Sequence, residues 1–103
     1  MKTYYELEAD VIDWANARQI ILNSTPAAQA TKTLEEVKEL IDAIDQDNRA
    51  EMVDAYGDIL VTLIIGSKVA GLDLTNCLEV AYSAIKHRTG YLNEKGVFVK
   101  DKW

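Results

Sequence analysis

The residues of this chain best placed to do chemistry are acids at helical spacing. One set is Glu35-Glu36-Val37-Lys38-Glu39, and the other is Glu51-Met52-Val53-Asp54 followed by Asp58. Hard oxygen ligands in this arrangement suit Mg²⁺, which takes a few carboxylates, keeps several waters and shares the rest of its shell with substrate phosphates. Asp54 and Asp58, four residues apart, stack in line with Val61 and Ile65 of the apolar run that follows them. A carboxylate on such a stripe needs a cation or a strong hydrogen-bonding partner, because burying it alone is too costly. Arg88 competes with a metal for that role, since helical phase puts it on the inward stripe of the last helix, and a buried ion pair would need no ligand at all. More acids would converge there than Arg88 could balance, which favours the metal. Other catalytic devices are missing. The single histidine, His87, has no second histidine to work with, and neither a Gly-rich phosphate loop nor zinc-ligand spacing is present.

Four helices must position these acids. Leu7, Val11, Trp14, Ala15, Arg18 and Ile21 recur at helical spacing, so the first helix is expected from Tyr4 to Leu22. Trp14 reads either as a core aromatic or as a flat surface on which a base could stack. Thr25 is a candidate N-cap and Pro26 suits the first position of a second helix running to Ile44, with Ala30, Leu34, Val37, Ile41 and Ile44 as its core stripe. Glu36, a turn before Leu40, is the acid nearest the apolar edge. Asp45-Gln46-Asp47-Asn48 then connects to an antiparallel third helix from Arg49 to Ala70, which Gly71 ends in a left-handed conformation. Past Asp58 that helix is apolar on nearly every side. One small domain can hardly wrap it, so part of its surface is expected to meet another copy of the chain. Gly57 and Gly66 cost helix propensity, and close approach of a neighbour is the expected gain. Asp73 or Thr75 caps a fourth helix that carries Cys77, Ala81, Ala84 and Ile85 inward and stops at Gly90. The tail turns at Asn93-Glu94-Lys95-Gly96 and alternates through Val97-Phe98-Val99, as in a short hairpin or an extended arm.

Composition narrows the field further. The 103 residues, 49% hydrophobic and with a single proline, describe one mainly helical domain over residues 1–103. A formal net charge of −6 argues against a partner held by the phosphates of a nucleic acid polymer, though not against a small phosphate ligand carried by metal ions. The lone Cys77 fits a reducing cytoplasm, no N-terminal run reads as a signal peptide, and the oiliest stretch is too short to span a membrane.

Gln29 and Lys32 leading into Glu35-Glu36-Val37-Lys38-Glu39-Leu40, and then Gly57-Asp58-Ile59-Leu60-Val61, resemble the MazG-like all-α nucleoside triphosphate pyrophosphohydrolases. The pattern of that family is Glu-Glu-x-x-Glu on one helix and Glu-x-x-Asp on the next, and the resemblance runs from about Trp14 to Arg88. The tail is similar to that of small phage-type members.

The resemblance implies an all-α four-helix bundle, dimeric or tetrameric, that uses Mg²⁺, with Mn²⁺ as a possible substitute, to hydrolyse a nucleoside triphosphate to a monophosphate and pyrophosphate. It implies Glu36 and Glu39 as metal ligands, Asp58 as the final aspartate, and Glu35 as their support or as an activator of water. Where the family has glutamate three residues before the aspartate this chain has Ala55, so Asp54 is the expected substitute, with Glu51 as the weaker one. Lys32, Lys86 and Arg88 are implied as phosphate-holding cations, with Trp14 and Asn16 lining a base pocket. The rival from another class is a noncatalytic helical interaction module whose acids are merely solvated or internally paired.

Overall fold

The computed structural model describes residues 1–101; Lys102 and Trp103, the end of the expected tail, lie outside them. Helix α1 (Tyr4–Ala17) opens on a capping box in which Thr3 Oγ1 accepts from the Glu6 amide at 3.2 Å and Glu6 Oε1 accepts from the Thr3 amide at 2.9 Å. It does not continue to Leu22. The chain breaks where Gln19 turns left-handed (φ 58°), and it restarts as the single turn α2 (Ile20–Asn23). The Arg18 and Gln19 amides close a tight turn on Ala15 O and Asn16 O, and the redirected chain sets Ile20 and Ile21 half-buried against the long central helix. Burial of that pair outweighs a longer straight helix.

Helix α3 (Pro26–Asp45) starts as its sequence indicates, with Thr25 Oγ1 accepting from the Ala28 amide at 3.1 Å and Pro26 in the first turn. After the turn at Gln46-Asp47-Asn48, helix α4 (Arg49–Val69) returns antiparallel, capped by Asn48 and ended at Gly71 in the left-handed region (φ 76°). Helices α3 and α4 form the main packed pair of the molecule. Residues in contact along their seam fall in number on one helix as they rise on the other: Gln29 against Gly66, and Thr33 against Thr62. At Gly66 a Cβ would lie 3.2 Å from Gln29 Cβ, so the missing side chain permits the close approach there, whereas Gly57 faces open space and has no such role.

The phase of α3 differs from the apolar stripe. Its seam is Gln29, Thr33, Glu36, Leu40 and Ala43, each buried or half-buried, while Leu34, Ile41 and Ile44 stay 54%, 52% and 48% exposed. Small and hydroxylated residues face α4 because they let two backbones come together. Ala43 and Ala55 are both buried, and the Thr33 and Thr62 hydroxyls meet at 2.7 Å, each also within reach of a carbonyl of its own helix, Gln29 O at 3.0 Å and Ile59 O at 2.7 Å; with one proton apiece, one hydroxyl donates to the other, which donates to its carbonyl. The bulky residues one position over are left for something else.

Helix α5 (Leu74–Ile85) is capped by Asp73, whose Oδ1 accepts from the Thr75 amide. It stops at Ile85 rather than at Gly90, and Gly90 begins a strand. Among the described residues α5 packs on the body only through α4, and none of its side chains is fully buried: Cys77 is half-buried, and Ala81, Ala84, Ile85 and Arg88 are exposed. Beyond Cys77, the expected inward stripe therefore has no partner among the described residues. Strands β1 (Gly90–Leu92) and β2 (Phe98–Lys100) pair antiparallel with Tyr91 opposite Val99, so the tail is a hairpin. Its loop is held by Asn93 Oδ1, which accepts from the Lys95 and Val97 amides. Among the described residues, no single helix is long and apolar enough to cross a membrane.

The Thr33–Thr62 contact can be tested directly. Thr62→Val keeps the volume but removes the hydrogen bond between the two helices, leaving the Thr33 hydroxyl its bond to Gln29 O, and is expected to lower stability by about 0.5–1.5 kcal/mol, read as a lower Tm in a thermal melt followed by circular dichroism.

Candidate metal centre

Midway along the α3–α4 seam, one turn from the threonine pair, the seam carries charge. Glu36 sits on the seam face of α3 and is only 7% exposed. Glu39 follows one turn later at the rim, and Asp58 comes half-buried from α4. One oxygen from each of these three carboxylates lies within 4.8 Å of the others. Glu36 Oε1 meets Lys32 Nζ at 3.4 Å, but Glu36 Oε2 is buried with no hydrogen-bond partner. A stranded anionic oxygen beside two more carboxylates is an unfavourable arrangement for a protein alone. It is a favourable one around a small hard cation.

The protonation equilibria respond to this crowding. The neighbouring Glu36 carboxylate, which favours a proton on Glu39 and repels its charge, pushes the Glu39 carboxyl above the usual range. Burial first, then the Asp54 and Glu36 charges, push the Asp58 carboxyl up. Lys32 is held above its ordinary value by its hydrogen bond to Glu36 and by the Glu35 charge.

Beyond Glu39 the acids continue. Glu39, Asp42, Gln46, Glu51, Asp54 and Ala55 line an open cavity of about 370 Å³. Asp54 is therefore outside the tight three-oxygen group but shares a wall with Glu39, and Glu51 stands in that wall too. Ala55 is buried at the seam, 4% exposed. Asp42 was not singled out by its sequence context. Its position three residues after Glu39, one turn along the same face, is the signal that points to it.

On the other side, Asp58 lines a second cavity of about 430 Å³ between α1 and α4, together with Leu7, Asp10, Val11, Trp14 and Val61. Trp14 is thus neither fully core nor simply surface. Its ring is half-exposed in this cleft, and the Arg18 guanidinium lies 4.4 Å from its centroid. Asn16, about 200° around α1 from Trp14, is exposed and does not line the cleft. Lys32 stands at the acids, also 3.5 Å from Glu35. Lys86 and Arg88 do not. Lys86 caps the C-terminus of α5, and Arg88 lines a separate cavity with His87, Thr89, Lys100 and Asp101.

Residues 24–91, which carry this row of carboxylates across two antiparallel helices, match the MazG nucleotide pyrophosphohydrolase domain. The chain belongs to that family. The fold of this MazG domain is also that of the cyanophage S-2L MazG-like pyrophosphohydrolase, solved bound to dGDP and three catalytic Mn²⁺ ions per active site. The two share 22% identity over 99% of this chain and 96% of the other, with a TM-score of 0.75, a likeness of fold. No curated protein sequence matches the chain.

Asp58→Asn tests the charge balance of the MazG centre without an activity assay. Removing one of the crowded charges is expected to raise the Tm of the metal-free protein and to abolish the further rise that Mg²⁺ or Mn²⁺ gives the wild type. Thermal melts with chelator and with added metal read both effects.

Proposed function

We propose that this MazG domain hydrolyses a nucleoside triphosphate to a nucleoside monophosphate and pyrophosphate, with Mg²⁺ or Mn²⁺ held by Glu36, Glu39 and Asp58 and, along the same row, Asp54. The observation that carries this reading is the grouping of Glu36, whose Oε2 is buried and unpartnered, with two further carboxylates, with Lys32 the only basic side chain paired with the group among the described residues. The Mn²⁺ and dGDP of the cyanophage enzyme support the choice of a divalent metal and a nucleotide. Divalent cations bound here would neutralise phosphate charge and lower the pKa of bound water.

The residues of the chain supply the rest. Glu36, fixed in the seam, sets the position of the row, and Glu39 and Asp58 close it from either helix. Glu35, exposed one residue before Glu36, would accept the proton of the attacking water. Water adds to the α-phosphorus, the bond to the β-phosphate oxygen breaks, and pyrophosphate leaves. Lys32 can turn from its carboxylate partners to a phosphate oxygen. Trp14 offers the base an aromatic face in the adjoining cleft. A nucleotide substrate and a single unpaired cysteine accord with action in the cytoplasm.

The same reading includes a second copy of the chain. The accessible surface is 8012 Å², against about 5,800 Å² for a monomeric protein of this mass. The radius of gyration is 16.1 Å, against about 13 Å for a compact domain of this length. The excess area is of the size an obligate homodimer covers. It is concentrated on the outer stripe of α3 (Leu34, Ile41, Ile44), on Tyr56 and Leu63 of α4, and along the exposed sides of α5 and the hairpin. Lys86 and Arg88, on that projecting arm, would then reach phosphates only from a neighbouring copy.

Two outcomes follow. Pyrophosphate release from a nucleotide panel should require Mg²⁺ or Mn²⁺ and should fall by at least about 100-fold in Glu39→Gln; release from no nucleotide would refute the enzymatic reading. Sedimentation should give a dimer or larger assembly, and Ile41→Glu should shift it towards monomer by burying a charge at the covered stripe.

A further inference from the structure

The cleft beside the acids contains a polar element that metal binding does not use. Of the residues lining it, Leu7, Val11, Trp14 and Val61 are apolar and Asp58 belongs to the carboxylate group, so Asp10 is the one other charged side chain on its wall. Leu7, Asp10, Val11 and Trp14 form one face of α1, and Asp10 lies one turn before Trp14. Asp10 Oδ2 accepts from Lys2 Nζ at 2.6 Å. The pair thus presents a donor beside a carboxylate that only accepts. The cleft, about 430 Å³, falls within the usual range for a small-molecule site.

We propose that Asp10, with Lys2 beside it, reads the base of the nucleotide and selects guanine. This deepens the pyrophosphohydrolase reading and rests on it for placing the phosphates at Asp58. A base in the cleft has an aromatic face in Trp14 for its ring and the Lys2–Asp10 pair for its edge. The Watson–Crick edge of guanine runs acceptor, donor, donor through O6, N1–H and the 2-amino group. Lysine donates to O6, and the carboxylate accepts from the two adjacent N–H groups, a bidentate contact. The other bases each place a mismatch against the pair. Adenine puts an amino donor against the ammonium and a bare ring nitrogen against the carboxylate. Cytosine puts two acceptors against the carboxylate, and thymine places a carbonyl against its second oxygen. Hypoxanthine keeps O6 and N1–H but lacks the amino group. Its order in the series is therefore fixed between guanine and adenine.

The test compares kcat/KM for dGTP, dITP and dATP with the metal-loaded protein, and equilibrium binding of dGMP, dIMP and dAMP by calorimetry. The expected order is guanine, hypoxanthine, adenine, with guanine over adenine by roughly 10- to 100-fold. Asp10→Asn should bring the guanine-to-hypoxanthine ratio close to one and lower the guanine-to-adenine ratio to what Lys2 alone gives. Lys2→Met should lower guanine and hypoxanthine together and leave their ratio as in the wild type. A merely structural role for Asp10 would change all bases alike. Equal binding of the three monophosphates by the wild type, or unchanged ratios in folded Asp10→Asn, overturns the proposal. The wild-type series decides it even if a variant fails to fold. Pyrophosphate release without base preference overturns the base reading alone. Preference for dGMP with no release from any triphosphate supports the base reading and overturns the hydrolytic one.

Discussion

The structure depends on one unfavourable interaction held in place by many favourable ones. Glu36 is fixed on the buried seam of two long antiparallel helices, with one carboxylate oxygen unpartnered and two further carboxylates close by. Nothing in local helix energetics asks for an acid there. The cost is borne by the seam on either side, where the paired threonines and the glycine opposite Gln29 bring α3 and α4 together, as do two buried alanines. The helices cannot splay to relieve the repulsion without losing that packing. Raised carboxyl pKa values at Glu39 and Asp58 report the resulting tension.

A rigid, electrostatically frustrated seam is well suited to divalent cations, because the ligands are held in place before the ion arrives and little reorganisation is needed. The flanks of the seam divide the remaining work. On one side the acids extend through Asp54, Glu51 and Asp42 around an open polar cavity. On the other, α1 lays an aromatic and apolar wall against α4. A polar surface and an apolar one are thus set apart, with Glu39 on the polar side and Asp58 on the apolar one.

The carboxylates were legible in the sequence because acids at spacings of three and four can only share a face once the segment is helical. Asp58 was marked by its position at the head of an apolar run, and the caps at Thr25 and Asp73 and the stop at Gly71 each follow from local chemistry. Less legible was which side of α3 meets α4. The bulky stripe through Leu34 and Ile41 is the more hydrophobic one, but the adjacent stripe of Gln29, Thr33, Glu36, Leu40 and Ala43 forms the seam, because close packing of two helices is governed by side-chain size as well as by oiliness. The inward reading of Arg88 failed for a related cause. Its stripe on α5 is apolar in sequence, yet the helix projects from the body and offers that stripe to solvent.

By itself, then, the amino-acid order determined the helical class, the caps, the C-terminal hairpin turn and the acidic face of each helix, since each is set by interactions within a few residues. The tertiary structure decided what depends on distant partners. It broke the first helix at Gln19 so that Ile20 and Ile21 could be half-buried against α4. It put Glu36 rather than Leu34 at the seam, separated Arg88 and Lys86 from the acids, and brought Asp10 and Trp14 of α1 to the same cleft as Asp58 of α4. That last juxtaposition joins residues more than forty positions apart, and only the packing of α1 against α4 creates it.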